Sequence, residues 1–296
     1  MKPRQNKILT RFDNLLLMKE SHGHLHTIYK MKRILLFLVI SLFTLSGDAQ
    51  NQDSIVFSVH YIAHFKLYAE SKNEIEEEKV LDIGNTSSCF YGRWQRKRDA
   101  ILDSVITAGG DYNQAMSLMM NYPIPRQFYS IYNNYPSIGK CTVTDQLIKR
   151  FYYEEDIETI DWTILEKDTT VLNYICKMAV CDYRNHKWTV CYTPELPVGW
   201  GPWKLHGLPG LILSAWDDTG IFSFEGIEIR KNGAILYPPN TNNNIKCSRE
   251  EIRAMQREMM RDPEGFAKRF GAIGKGMDAN GKPIIYKKRT ALFLDE

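Results

Sequence analysis

Between Gly201 and Leu213 the chain reads Gly-Pro-Trp-Lys-Leu-His-Gly-Leu-Pro-Gly-Leu-Ile-Leu, an apolar run punctuated by two prolines and three glycines. Neither helix nor strand runs through such punctuation, so the stretch has to be a joint. At Leu208-Pro209-Gly210-Leu211, proline occupies the second turn position and glycine the third, where φ is positive. That pattern predicts a type II turn. Leu211 to Trp216 then reads as a buried strand, Asp217 to Gly220 as a turn, and Ile221 to Ile229 as an alternating return strand. The joint therefore launches a β-hairpin.

Upstream, odd positions from Ile55 to Leu67 are apolar while even ones carry Ser58, His60, His64 and Lys66, the period of a strand with one buried face. His60 and His64 share the other face, about 13 Å apart, too far to chelate one ion unaided. Lys72 to Lys79, with Glu76, Glu77 and Glu78, reads as a charge-rich solvated turn, and Val80 to Gly84 as a second strand. Trp94 to Ile106 and Tyr112 to Met120 each place apolar residues on one helical face, separated by Gly109-Gly110 and the N-cap Asp111, and form a helical insertion over about 93–121. Short strands follow at Phe128 to Tyr132, Lys140 to Asp145 and Gln146 to Glu154. Their tyrosines, among them Tyr129, Tyr132 and Tyr153, either line a ligand surface or pack the faces of the sheet.

Asn173 to Asp182 and Lys187 to Thr193 form a hairpin around Arg184-Asn185-His186. An odd register sum would put Cys176 and Cys191 on one face and Cys181 on the other, so a Cys176–Cys181 bond would require an irregular strand. Ser248 with Glu251 is a capping box opening a C-terminal helical segment over about 248–270, in which Pro263 starts a second short helix. Gly271 to Lys282 is glycine-rich and reads as flexible, and Lys287 to Arg289 as a solvated tail.

The motif Gly207-Leu208-Pro209-Gly210-Leu211-Ile212, preceded by Gly201-Pro202-Trp203, resembles the GLPGLI family of exported Bacteroidota proteins. Trp162 to Leu165, Tyr174-x-Cys176-x-x-Ala179-x-Cys181 and the aromatic return strand Trp188 to Tyr192 are similar to that family's ordered pattern. Ser88 and Phe90 fit its earlier strand end. His186 and Cys191 depart from the arginine and tryptophan usual there. The resemblance implies export and a β-rich domain but supplies no activity, catalytic residue or cofactor.

The N-terminus agrees with export. Lys32-Arg33 forms a charged region, Ile34 to Leu45 an apolar run, and Gly47-Asp48-Ala49 a small-residue cleavage site, so residues 31–49 read as a secretory signal peptide. The apolar run is short of the about 20 residues of a membrane span. Residues 1–30, including His22, His24 and His26, read as a gene-model extension, and 50–296 as one domain. Eight Lys or Arg and three Asp or Glu fall in residues 1–49, leaving 30 basic and 32 acidic side chains beyond them. Such balance excludes the basic footprint of a nucleic-acid-binding domain. The six cysteines lack Cys-x-x-Cys spacing and read as structural or partly disulfide-bonded rather than metal-binding.

These readings combine into an α+β fold, mainly antiparallel, with a curved sheet or half-barrel and helices packed against one side. The functional expectation is a non-enzymatic envelope binding or accessory protein, periplasmic or outer-membrane associated. Its partner would be an envelope protein, lipid or peptide, and neither cofactor nor metal is implied. Trp200, Trp203 and His206 are the candidate binding residues, because tryptophans combine apolar area with one hydrogen-bond donor beside a glycine-rich backbone. The alternative is a periplasmic hydrolase built on His206, Asp217 and Asp218, or a thiol-redox enzyme built on Cys176 and Cys181.

Overall fold

A computed structural model describes residues 53–271, 282 and 289–294. The leader, the His22–His26 cluster and most of the glycine-rich and basic C-terminal segments lie outside the described residues. Those described belong to one compact unit, Gln52–Glu296.

Twelve strands form one open sheet. In chain order they are β2 (Phe57–Phe65), β3 (Ile75–Ile83), β4 (Ser88–Gly92), β5 (Ser130–Asn133), β6 (Lys140–Gln146), β7 (Arg150–Asp156), β8 (Thr163–Val171), β9 (Tyr174–Tyr183), β10 (His186–Thr193), β11 (Leu211–Asp217), β12 (Phe222–Lys231) and β14 (Ile245–Lys246). Their spatial order is 14-7-6-5-4-3-2-12-11-10-9-8, antiparallel except where β14 joins β7. Two short strands, β1 (Asp53–Ser54) and β13 (Ile235–Leu236), pair separately. The expected α+β class, mainly antiparallel, is the observed one.

The alternation read in the sequence sets the core. Val59, Tyr61, Ala63 and Phe65 are buried on one face of β2, and their neighbours Leu81, Phe90, Ile131 and Val143 continue that inner face across β3 to β6. Tyr61 reaches further, its hydroxyl donating to the Ile212 carbonyl at 2.7 Å, so the joint is tied to the centre of the sheet. The outer face carries His60, bonded to Glu78 at 2.8 Å, and His64, 3.8 Å from both Glu74 and Glu76.

The sheet is strongly curved. Eight strand spacings separate β7 from β10, about 38 Å if the sheet were flat. Yet Arg184, in the β9–β10 turn, approaches Glu155 of β7 to 3.5 Å and Glu158 just beyond it to 2.8 Å. Arg184 and Asn185 both take left-handed conformations, and the register sum is odd, as His186 opposite Tyr183 shows. Cys176 and Cys191 therefore share a face opposite to Cys181, as the register argument requires, and all six cysteines are free thiols.

Among the described residues there are four helices: α1 (Arg93–Thr107), α2 (Tyr112–Met119), α3 (Arg249–Arg261) and α4 (Pro263–Arg269). Capping boxes open α2 at Asp111 and α3 at Ser248. The helices do not pack on one side, as the sequence reading supposed. Arg96 of α1 reaches Asp82 and Cys89 on the outer face, whereas Ile252 of α3 is buried in the inner core. Face choice depends on the path of each connection, which apolar periodicity does not encode. Among the described residues, no helix is long and apolar enough to cross a membrane.

Two local expectations fail for identifiable reasons. Gly210 is not among the residues with positive φ, so Leu208 to Leu211 is not a type II turn. Glycine is needed there because a Cβ would overlap the Thr193 carbonyl oxygen and the start of Pro194. The left-handed residues of the joint are instead Trp203 and Gly207, at φ 55° and 92°. Likewise Glu76 to Lys79 is not a solvated turn but the first half of β3, where Glu77 and Lys79 face the inner core at 7% and 0% exposure.

Candidate functional site

The concave inner face is roofed by α3 and the segment 291–294, and between roof and sheet lies a cavity of about 260 Å³. Sheet residues Ile131, Val143 and Tyr153 supply its floor, with Ile252, Met259 and Leu292 opposite. Trp203 forms one wall. Its ring centroid stands 5.7 Å from that of Trp188 and 5.6 Å from that of Tyr183, and it is 2% exposed. A bulky residue at positive φ costs about 1–3 kcal/mol, which this aromatic packing has to offset. The joint thus bends so that Trp203 enters the core.

Polar groups enter the cavity in matched sets. Asp145, at the end of β6, accepts from Gln256 Nε2 at 2.7 Å and from the Gln146 backbone N–H at 2.7 Å, and Gln256 Oε1 accepts from Arg253 at 2.6 Å. Asp145 is half-buried where the cavity meets the end of β6. That burial pushes its pKa up to about 6 against the opposing pull of Arg253. Beside it, Lys79 lies 2.9 Å from Glu77 and 5.1 Å over the Tyr129 ring. Burial lowers the Lys79 pKa, and Glu77 works against that shift. Glu77 also accepts from the Arg126 backbone N–H at 2.9 Å, which fixes the loop at one side of the cavity. Lys204, next to Trp203, is held by Glu155 at 2.6 Å and Tyr153 at 3.2 Å.

The three residues expected to form one binding surface are not brought together. Trp203 lines the cavity, whereas Trp200 and His206 form a backbone bridge with their rings 6.0 Å apart. His206 is structurally engaged, with Nδ1 2.8 Å from the Lys204 carbonyl and its own carbonyl accepting from Trp162 Nε1 at 2.8 Å. Of the motif, Leu208, Leu211 and Ile212 are core residues, and Gly207 and Pro209 are exposed. Asp217 is likewise an organiser. It accepts from the backbone N–H groups of Ile221 and Phe222, both at 3.0 Å, and its histidine partner is His186 at 3.1 Å rather than His206.

The cavity residues that sequence reasoning missed are Asp145, Gln256, Arg253, Lys204 and Arg126. One local signal was available: Glu77 and Lys79 continue the parity of Leu81 and Ile83, so a strand starting earlier would have placed two opposite charges on the buried face. Asp145 and Gln256 lie 111 residues apart and gave none.

A second cleft of about 300 Å³ lies on the outer face between α1 and the connector after β13, lined by Asp99, Asp103, Arg150, Tyr132 and Asn240. The thiols offer no activated nucleophile among those with a shifted pKa. Burial raises Cys89 and Cys176, and takes Cys181 to about 12 and Cys191 and Cys247 to about 11. Among the described residues, no group of three or more His, Cys, Asp or Glu is placed to hold a metal ion.

No family model and no curated protein matches this sequence. Two solved structures of PNGF-II, in the P21 and C2 space groups, are similar at TM-scores of 0.45 and 0.44 with 12% identity. They cover 68% and 67% of this chain, which spans about a third (32%) of the length of PNGF-II.

Proposed function

We propose that this chain is an exported, non-enzymatic binding or accessory protein of the cell envelope that holds an apolar ligand in the cavity under α3. The observation that carries the reading is the composition of that cavity: an apolar void walled by Trp203, whose inner charged groups are engaged with neighbouring side chains rather than with a nucleophile. The leader pattern and the resemblance to the GLPGLI family support export. The alternative, a periplasmic hydrolase or thiol-redox enzyme, would draw on the raised Asp145 carboxyl as an acid, but the raised thiols weigh against its redox form. Capturing envelope extract on the tagged protein and identifying bound lipids, peptides and proteins by mass spectrometry tests the reading. Recovery of a stoichiometric ligand or envelope partner is expected, and recovery of none contradicts it.

A further inference from the structure

We infer that the ligand of this cavity is an anionic amphiphile with a single alkyl chain, its chain in the void and its head on Arg126. The inference rests on the binding reading above and specifies its ligand. Two other cations line the cavity, each with an acidic neighbour already in place: Lys204 with Glu155, and Arg253 with Asp145 through Gln256. Arg126 differs. It lines the cavity, its side chain is exposed, and among the described residues it makes no ion pair, while its backbone N–H is fixed to Glu77 at 2.9 Å. A guanidinium anchored through its main chain and open to solvent presents a planar fork suited to a carboxylate or phosphate. Behind it the void is lined by aliphatic and thioether groups, including Leu67, Leu147, Met259 and Met260.

Size limits the chain. The void of about 260 Å³ is room for a single alkyl segment. Each methylene buried should tighten binding about fourfold until the void is full. Flexible methionines in the lining allow chains of slightly different length to seat.

The test is titration of the purified protein with decanoate, decyl phosphate, decanol and decylamine, read by tryptophan fluorescence, because Trp203 stands in the wall. The expected result is that decanoate or decyl phosphate binds at least tenfold more tightly than decanol, and decylamine most weakly. Which anion leads separates a free fatty acid from a phosphate-bearing lipid fragment. Arg126→Gln should weaken the anions about tenfold and leave decanol unchanged, while hexanoate and octanoate should fall progressively below decanoate. Equal binding of decanol and the anions, preference for decylamine, or insensitivity to Arg126→Gln overturns the inference. Absence of binding by all four probes also overturns it. If envelope capture still recovers a different ligand or a partner in that case, the binding reading stands and only this ligand class falls.

Discussion

Lys204 Nζ lies 2.6 Å from Glu155 Oε1, joining the glycine- and proline-punctuated stretch to a strand at the far side of the curved sheet. The pair holds the concavity together where the cavity wall meets its floor. Its two members are not equivalent. Glu155 also stands 3.5 Å from Arg184 and 3.8 Å from Arg249, so it keeps cationic neighbours when Lys204 is lost.

That asymmetry gives the first prediction. Removing one partner of a buried pair costs about 3–5 kcal/mol when a charge is left uncompensated. Glu155→Leu should cost more than Lys204→Met, because it removes the carboxylate 2.6 Å from a lysine that is 5% exposed. Lys204→Met should cost about 1 kcal/mol, since Arg184 and Arg249 remain. Urea unfolding of the two variants checks the order, and equal losses would contradict it.

Glycine in the joint serves close packing, and a matched pair of substitutions separates this from turn geometry. Gly210→Ala places a Cβ on the Thr193 carbonyl and should cost more than about 3 kcal/mol or prevent folding. Gly220 has φ 68° with open space around it, so Gly220→Ala should cost about 1 kcal/mol. Thermal melts showing the reverse order would restore the turn explanation.

Asp145 makes stability depend on pH. Its folded pKa of about 6 lies above the ordinary 3.8, so the folded state holds its proton more tightly than the unfolded chain. The sign follows: the stability that Asp145 contributes is fully present below about pH 4 and declines as pH rises toward 6, by about 3 kcal/mol in all at 1.36 kcal/mol per pKa unit. Asp145→Asn should flatten that decline in urea midpoints taken from pH 4 to 7, and an unchanged slope would contradict the assignment.

His186 acts in a neighbouring window. The hydrogen bond that His186 donates to Asp217 raises its pKa despite burial. The stability it contributes is therefore complete below the unfolded value of about 6.5 and lost as pH rises through the folded pKa. His186→Gln should remove this step while leaving the Asp145 slope in place, which extending the midpoint series above pH 7 resolves.

Much of the fold was legible because it rests on short-range pattern. The alternation from Ile55 gave β2 and its core face, the odd register of the β9–β10 hairpin gave the faces of Cys176, Cys181 and Cys191, and Ser248 with Glu251 gave the start of α3. What was not legible depended on distant segments. Gly210 read as a turn residue because its constraint comes from Thr193, brought against it only by folding. Glu77 and Lys79 read as solvated because charge indicates water unless a buried partner is known, and here each is the other's partner. Of the cavity, Trp203 was found through its motif, while Asp145, Gln256 and Arg126 come from three separate segments whose convergence no local period records.

The account stands most directly on whether the space under α3 is where the ligand sits. Met259 lines it from α3 and is only partly buried, so Met259→Trp should fill the void without dismantling the core. Native mass spectrometry of wild type and Met259→Trp, each recovered from envelope extract at matched melting temperature, measures occupancy. The account predicts a bound ligand on the wild type and its loss from Met259→Trp. Equal occupancy of both would contradict it.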